Sequence, residues 1–117
     1  MKLGQYDFAV VRGNNSPVAF RFSTSGESGQ TPLDLSGSEL VLTIVSRQCR
    51  LRRSSADGGL LVDGPAGLVT WQPTPEDTRA IPEGRLSRYE LEWRQSGGLQ
   101  LTLLTGAITG VGGINDD

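Results

Sequence analysis

The chain has 117 residues, a net charge of −2 and sixteen glycines, with a pI near 5.1. That length supports one hydrophobic core rather than two. The acidic balance argues against bulk nucleic-acid binding, no apolar run approaches the roughly 18 residues of a membrane span, and histidine, the commonest general base and zinc ligand, is absent.

In chain order, the N-terminus lacks the long apolar stretch and cleavage site of a secretion signal. "QYDFAVV" then alternates, with Tyr6, Phe8 and Val10 on one side and Asp7 and Ala9 on the other. "RGNNSP" is turn chemistry. "VAFRFS" alternates again, Val18, Phe20 and Phe22 inward and Arg21 outward, so these two strands are expected as a hairpin or as neighbours. "TSGESGQTP" is a polar loop.

"ELVLTIV" is apolar on both faces, Leu40, Leu42 and Ile44 against Val41, Thr43 and Val45, as expected of a central strand. "QCRLRRSSADGG" predicts a loop or short edge strand. "LLVDG" and "GLVTWQ" predict two short strands split by the turn "DGPAG". In "TPEDTRAIPEG" Thr74 can cap a helix, Pro75 suits its first position, and Glu76 and Asp77 suit its positive end; Pro82 stops it after one or two turns. "RLSRYELEWRQ" puts Tyr89, Leu91 and Trp93 inward and Arg88, Glu90, Glu92 and Arg94 outward, and "SGG" turns it into a hairpin with "LQLTLLTGAIT".

Seven or eight short antiparallel strands with turns every 8–12 residues and one short helix predict an all-β, immunoglobulin-like β-sandwich. A single domain over residues 1–109 and a glycine-rich C-terminal extension over 110–117 account for the chain.

Catalytic groups are sparse. Glu90 and Glu92 share a face roughly 7 Å apart by strand rise, but arginines flank them as on a solvated surface. Glu76 and Asp77 sit where a helix start wants acids. No histidine activates a serine. Cys49 cannot form an internal disulfide, which fits a reducing compartment; its arginine-rich setting would favour a thiolate, yet it has no histidine partner. "GGINDD" occurs once, without the stacked repeat of a calcium β-roll, and "GAITGVGG" lacks the Lys-Ser/Thr ending of a phosphate loop. No enzyme activity, cofactor or metal is expected. The charge asymmetry that stands out is Arg47, Arg50, Arg52 and Arg53, suited to an acidic partner surface. Val111 and Ile114 are apolar anchors in the C-terminal extension, suited to an arm ordered by a neighbouring subunit.

Four segments taken together, "YDFAVVRGNN" leading to "FRF", "PLDLSGSELVLTI", "GLVTWQPTPEDTRAIPEGRLSRYELEW" and "TLLTGAITGVGGINDD", resemble the N-terminal domain of baseplate upper proteins of tailed bacteriophages and related small prophage tail-region proteins. The likeness covers most of the chain, by order of segments rather than by any one motif. It implies an immunoglobulin-like domain that docks to other virion proteins and assembles as a homo-oligomer in the particle, made in the bacterial host cytoplasm. Baseplate upper proteins continue into a coiled coil and a receptor-binding arm, which this sequence lacks, so host adhesion is not carried over. The expected function is therefore a non-enzymatic virion structural protein of tail, neck or baseplate, with no nucleic-acid or membrane partner. The alternatives are a soluble module for a carbohydrate or small ligand, and a capsid decoration protein.

Overall fold

Strong alternation produces the strands on which the rest is built. In the computed structural model, which describes residues 4–26, 29–47 and 50–112, β10 (Gly84–Arg94) buries Tyr89, Leu91 and Trp93 and turns Arg88 and Glu90 outward. β6 (Glu39–Val45) lies against it in antiparallel register, Leu91 opposite Leu42 and Tyr89 opposite Ile44. The long final strand, β11 (Gln100–Val111), pairs with the other side of β10 through the predicted hairpin. Gly98, with φ at 95°, supplies the turn conformation that residues with a Cβ avoid.

The edges complete two facing sheets. β7 (Arg50–Ser54) pairs with β6. At the opposite edge, β1 (Gly4–Gln5) and β2 (Phe8–Val11) follow one another along β11, both parallel to it. The second sheet has the order β3-β9-β8, from β3 (Val18–Arg21), β8 (Leu60–Asp63) and β9 (Leu68–Trp71). A separate small hairpin joins β4 (Ser23–Gly26) and β5 (Gly29–Pro32). With β10 between β11 and β6 in one sheet and β9 between β3 and β8 in the other, the strand order is that of an immunoglobulin-like sandwich with an extra strand, β7, on the larger sheet.

Three expectations need correction. The strands of "QYDFAVV" and "VAFRFS" are neither a hairpin nor neighbours in one sheet: β2 joins β11 in one sheet and β3 joins β9 in the other, so the chain crosses the sandwich between them. The described residues form eleven strand segments. The first and last strands pair in parallel, so the sheet is not wholly antiparallel. Nor does the extension begin at residue 110: Gly110 and Val111 are still in β11, opposite Val10 and Val11. The parallel strand alongside gives their backbone hydrogen-bond partners.

The core fills the space between the sheets with Leu40, Leu42, Ile44, Val69, Trp71 and Leu91 among others. Simple alternation cannot place both Leu103 and Leu104 inward. A register shift does so: Leu91 faces Leu104 but Glu92 faces Thr102, so Leu103 is an extra residue in β11 and both leucines are buried.

The helix forms as its cap predicts. In α1 (Pro75–Arg79), Thr74 Oγ1 accepts from the Asp77 N–H at 3.1 Å while Asp77 Oδ2 accepts from the Thr74 N–H at 3.1 Å, a reciprocal capping box. Thr78 Oγ1 donates to the Asn14 carbonyl at 2.8 Å and accepts from the Gly13 N–H at 2.9 Å. Arg12 donates to the carbonyls of Arg79 and Ile81, each at 2.8 Å. These bonds tie the helix to the crossing that follows β2.

Between β1 and β2 the backbone leaves the ladder, and side chains take over. Asp7 Oδ1 accepts the Ala107 N–H at 2.9 Å and Oδ2 accepts from Arg85 at 2.6 Å. The Tyr6 carbonyl accepts the buried Tyr89 hydroxyl at 2.5 Å. Burial first, and then the nearby Asp7 charge, push the Tyr89 phenol well above its ordinary value of 10.0. A phenol whose pKa is raised by folding stabilises the native state below the unfolded value, and that contribution is lost as pH climbs above it. Denaturant midpoints are therefore expected to fall as pH rises above about 10. Tyr89→Phe should weaken this alkaline fall and cost about 1–2 kcal/mol at neutral pH, since the Tyr6 carbonyl loses its partner. An alkaline dependence unchanged in the variant would refute the assignment.

Candidate interaction surfaces

Three of the four arginines fold into the edge strand β7, and its period of two separates them. Arg50 and Arg52 lie opposite Val45 and Thr43 and face outward; Arg53 lies opposite the buried Leu42 and points to the core side. There Arg53 meets Asp77 Oδ1 at 2.6 Å, with Asp77 only 8% exposed. Arg53 is thus paired within the chain, unlike Arg50 and Arg52, and it fastens β7 to the helix cap. Arg47 is exposed in the bend after β6. Cys49 and Ile114 lie outside the described residues. Val111 is exposed at the end of β11, paired with Val11, so it belongs to the sheet rather than to a separate arm.

The outer face of the larger sheet gathers residues that the sequence keeps apart. Arg50 lies opposite Val45, and Val45 opposite Arg88, so an exposed valine is flanked by two arginines. One row along, Arg52, Thr43, Glu90 and Thr105 follow across four strands. The face holds a shallow groove of about 450 Å³. Arg94 is neutralised within it, held at 2.5 Å by Glu92 and at 3.8 Å by Glu39, and the Glu92 bond raises its pKa further. No described acid forms an ion pair with Arg50, Arg52 or Arg88. Glu90 is the one acid in the row between them. The positive character therefore lies at the β7 end of the face, around Val45.

Arg88 is the residue that sequence reasoning passed over. Its outward direction was legible, but its neighbours along β10 are glutamates, and they suggest a balanced, solvated strand. Only the register across β6 sets it beside Arg50. The turn after β7 is fixed separately: Asp57 Oδ1 accepts N–H bonds from Gly59 at 2.7 Å and Ser54 at 3.2 Å, which hold its carboxyl below the ordinary value.

A second concavity opens at the side of the sandwich, between the edges formed by β1 and β3. It measures about 930 Å³ and is lined by apolar side chains, Phe20, Phe22, Leu33, Leu103 and Leu104 among them. No group of three or more metal-ligating side chains occurs among the described residues, and no described helix is long and apolar enough to cross a membrane.

No protein-family profile matches this chain, and no curated protein matches it. Among solved structures, it is similar to Drosophila OTK, extracellular domains 3-5, at 12% identity and a TM-score of 0.37, over 95% of this chain and 33% of that one. The chain thus spans about a third of that structure's length.

Proposed function

We propose that this domain is a non-enzymatic docking subunit whose arginine-bordered sheet face binds an acidic surface on a neighbouring protein. The observation that carries the reading is the cluster of Arg50, Arg52 and Arg88 around the exposed Val45, with no described acid in an ion pair with any of them. An apolar centre ringed by unneutralised cations suits an acidic protein patch: the valine gives contact area, and the charges give orientation and rate of encounter. The resemblance of the segment order to that of phage baseplate upper proteins is what favours a neighbour in a tailed-phage particle, as part of the tail, neck or baseplate. Self-assembly within the particle belongs to the same reading.

The test is binding to purified tailed-phage particles from the strain that carries the gene, followed by gold labelling and by sedimentation. Wild-type protein is expected to co-sediment and label one part of the particle, more weakly as salt rises. Replacing Arg50, Arg52 and Arg88 together by serine should leave the fold intact and weaken binding by about tenfold or more, as three rim charges at ~0.5–1 kcal/mol each imply. Arg53→Ser should instead lower stability by breaking the contact with Asp77. A protein that is a strict monomer by light scattering and absent from particles would refute the proposal.

A further inference from the structure

We propose that the free edge of β3, with the apolar opening beside it, takes an extended segment of a partner polypeptide that is apolar at alternate positions and carries a carboxylate beside Arg21. This goes beyond the arginine-face reading and uses the other sheet.

The main chain of β3 is half used. Among the described residues its one strand partner is β9. The Phe22 N–H donates to the Gly67 carbonyl at 2.8 Å, in line with the register that sets Phe20 opposite Val69 and Val18 opposite Trp71. In an antiparallel ladder alternate residues turn their N–H and C=O to the same neighbour. The main-chain groups of Val18 and Phe20 therefore face β9, as does the Phe22 N–H, while the Phe22 carbonyl accepts from the Leu33 N–H at 3.0 Å; those of Ala19 and Arg21 point away from β9, towards the opening. Donors and acceptors repeating every second residue, roughly 6.8 Å apart, are matched by another extended backbone.

The side chains state what that backbone should carry. Phe20, Phe22, Leu33 and Leu104 line the opening on its inner side, so the inward-facing positions of an added strand would be apolar. Ala19 and Arg21 are exposed on the outer face of β3. Arg21 makes no ion pair with any described acid. A carboxylate on an outward-facing position of the incoming strand would complete it. A second copy's β3 would instead bring another Arg21 to that face, so charge disfavours self-pairing.

The probe is the end-blocked peptide Thr-Val-Thr-Val-Asp-Val-Thr-Val-Thr, titrated into the whole chain labelled with nitrogen-15. Amide signals of Ala19 and Arg21 are expected to move and to become protected from exchange. A lysine in place of the central aspartate should weaken binding by about fivefold, and Arg21→Glu should reverse that preference. Ala19→Pro removes one outward N–H from an edge position, where proline is tolerated, and should abolish binding while the remaining spectrum stays folded. Unmoved Ala19 and Arg21 amides at millimolar peptide, or unchanged binding by a folded Ala19→Pro, would overturn the proposal. So would concentration-dependent shifts of the same amides without peptide, which would mean self-pairing. Arg50, Arg52 and Arg88 are untouched in these variants, so failure here leaves the arginine face to its own test.

Discussion

Trp71→Ala is expected to cost about 3–5 kcal/mol, the range for removing a large aromatic from a packed core. Trp71 is fully buried at the end of β9, where its register partners are Val18 on one side and Leu60 on the other. It is therefore the largest side chain of the smaller sheet's buried face, and with only three strands that sheet cannot close over the void. For a domain of this size such a loss lowers the melting temperature by roughly 15 °C or more. Leu61→Ala is the control: Leu61 is one residue from Leu60 on β8 but turned outward and 62% exposed. Circular dichroism through denaturant should show a large drop in midpoint for the first and little change for the second. Equal midpoints would mean that Trp71 is not in the core.

The second large effect is expected at Gly106. A Cβ built there overlaps the Tyr6 carbonyl, the same carbonyl that accepts the Tyr89 hydroxyl, and comes within 3.0 Å of Asp7 Oδ1. Two groups converge on that point, the Tyr6 carbonyl held by the Tyr89 hydroxyl and the Asp7 carboxylate held by the Ala107 N–H, so neither can retreat without breaking a bond. Gly106→Ala should cost about 3 kcal/mol, the upper part of the overpacking range, because backbone rather than a flexible side chain must move. It should also detach β1 from β11, read as faster exchange of the Tyr6 N–H, which donates to the Thr105 carbonyl at 3.0 Å. Gly97→Ala, with nothing within 4 Å of its Cβ, should change stability by less than ~0.5 kcal/mol. A Gly106→Ala protein as stable as the parent, with β1 still protected, would contradict the packing described.

Gly110 repeats the pattern four residues on: a Cβ there would overlap the Pro82 carbonyl. Glycines in "TGAITGVGG" read naturally as looseness, yet two of them lie within a paired strand. Each leaves room for another part of the chain to cross it. Nothing in the local sequence distinguishes a glycine that permits a turn from one that permits an approach.

What the sequence by itself determined was whatever depends on near neighbours. Alternation set the inward and outward faces of β6 and β10, including the outward Arg88. The spacing from Thr74 to Asp77 set the helix cap, and "DGPAG" set the turn between β8 and β9. Alternation along "RLRR" also held the separation of Arg52 from Arg53, which a grouping by charge obscured. Only the tertiary structure decided which sheet β2 and β3 would join, that Arg53 would reach Asp77, that Asp7 would fill the break between β1 and β2, and that Arg50 and Arg88 would flank one valine. Each of these rests on register between segments far apart in the chain. Register is chosen by how the two buried faces fit, a property of the assembled core that no single segment carries.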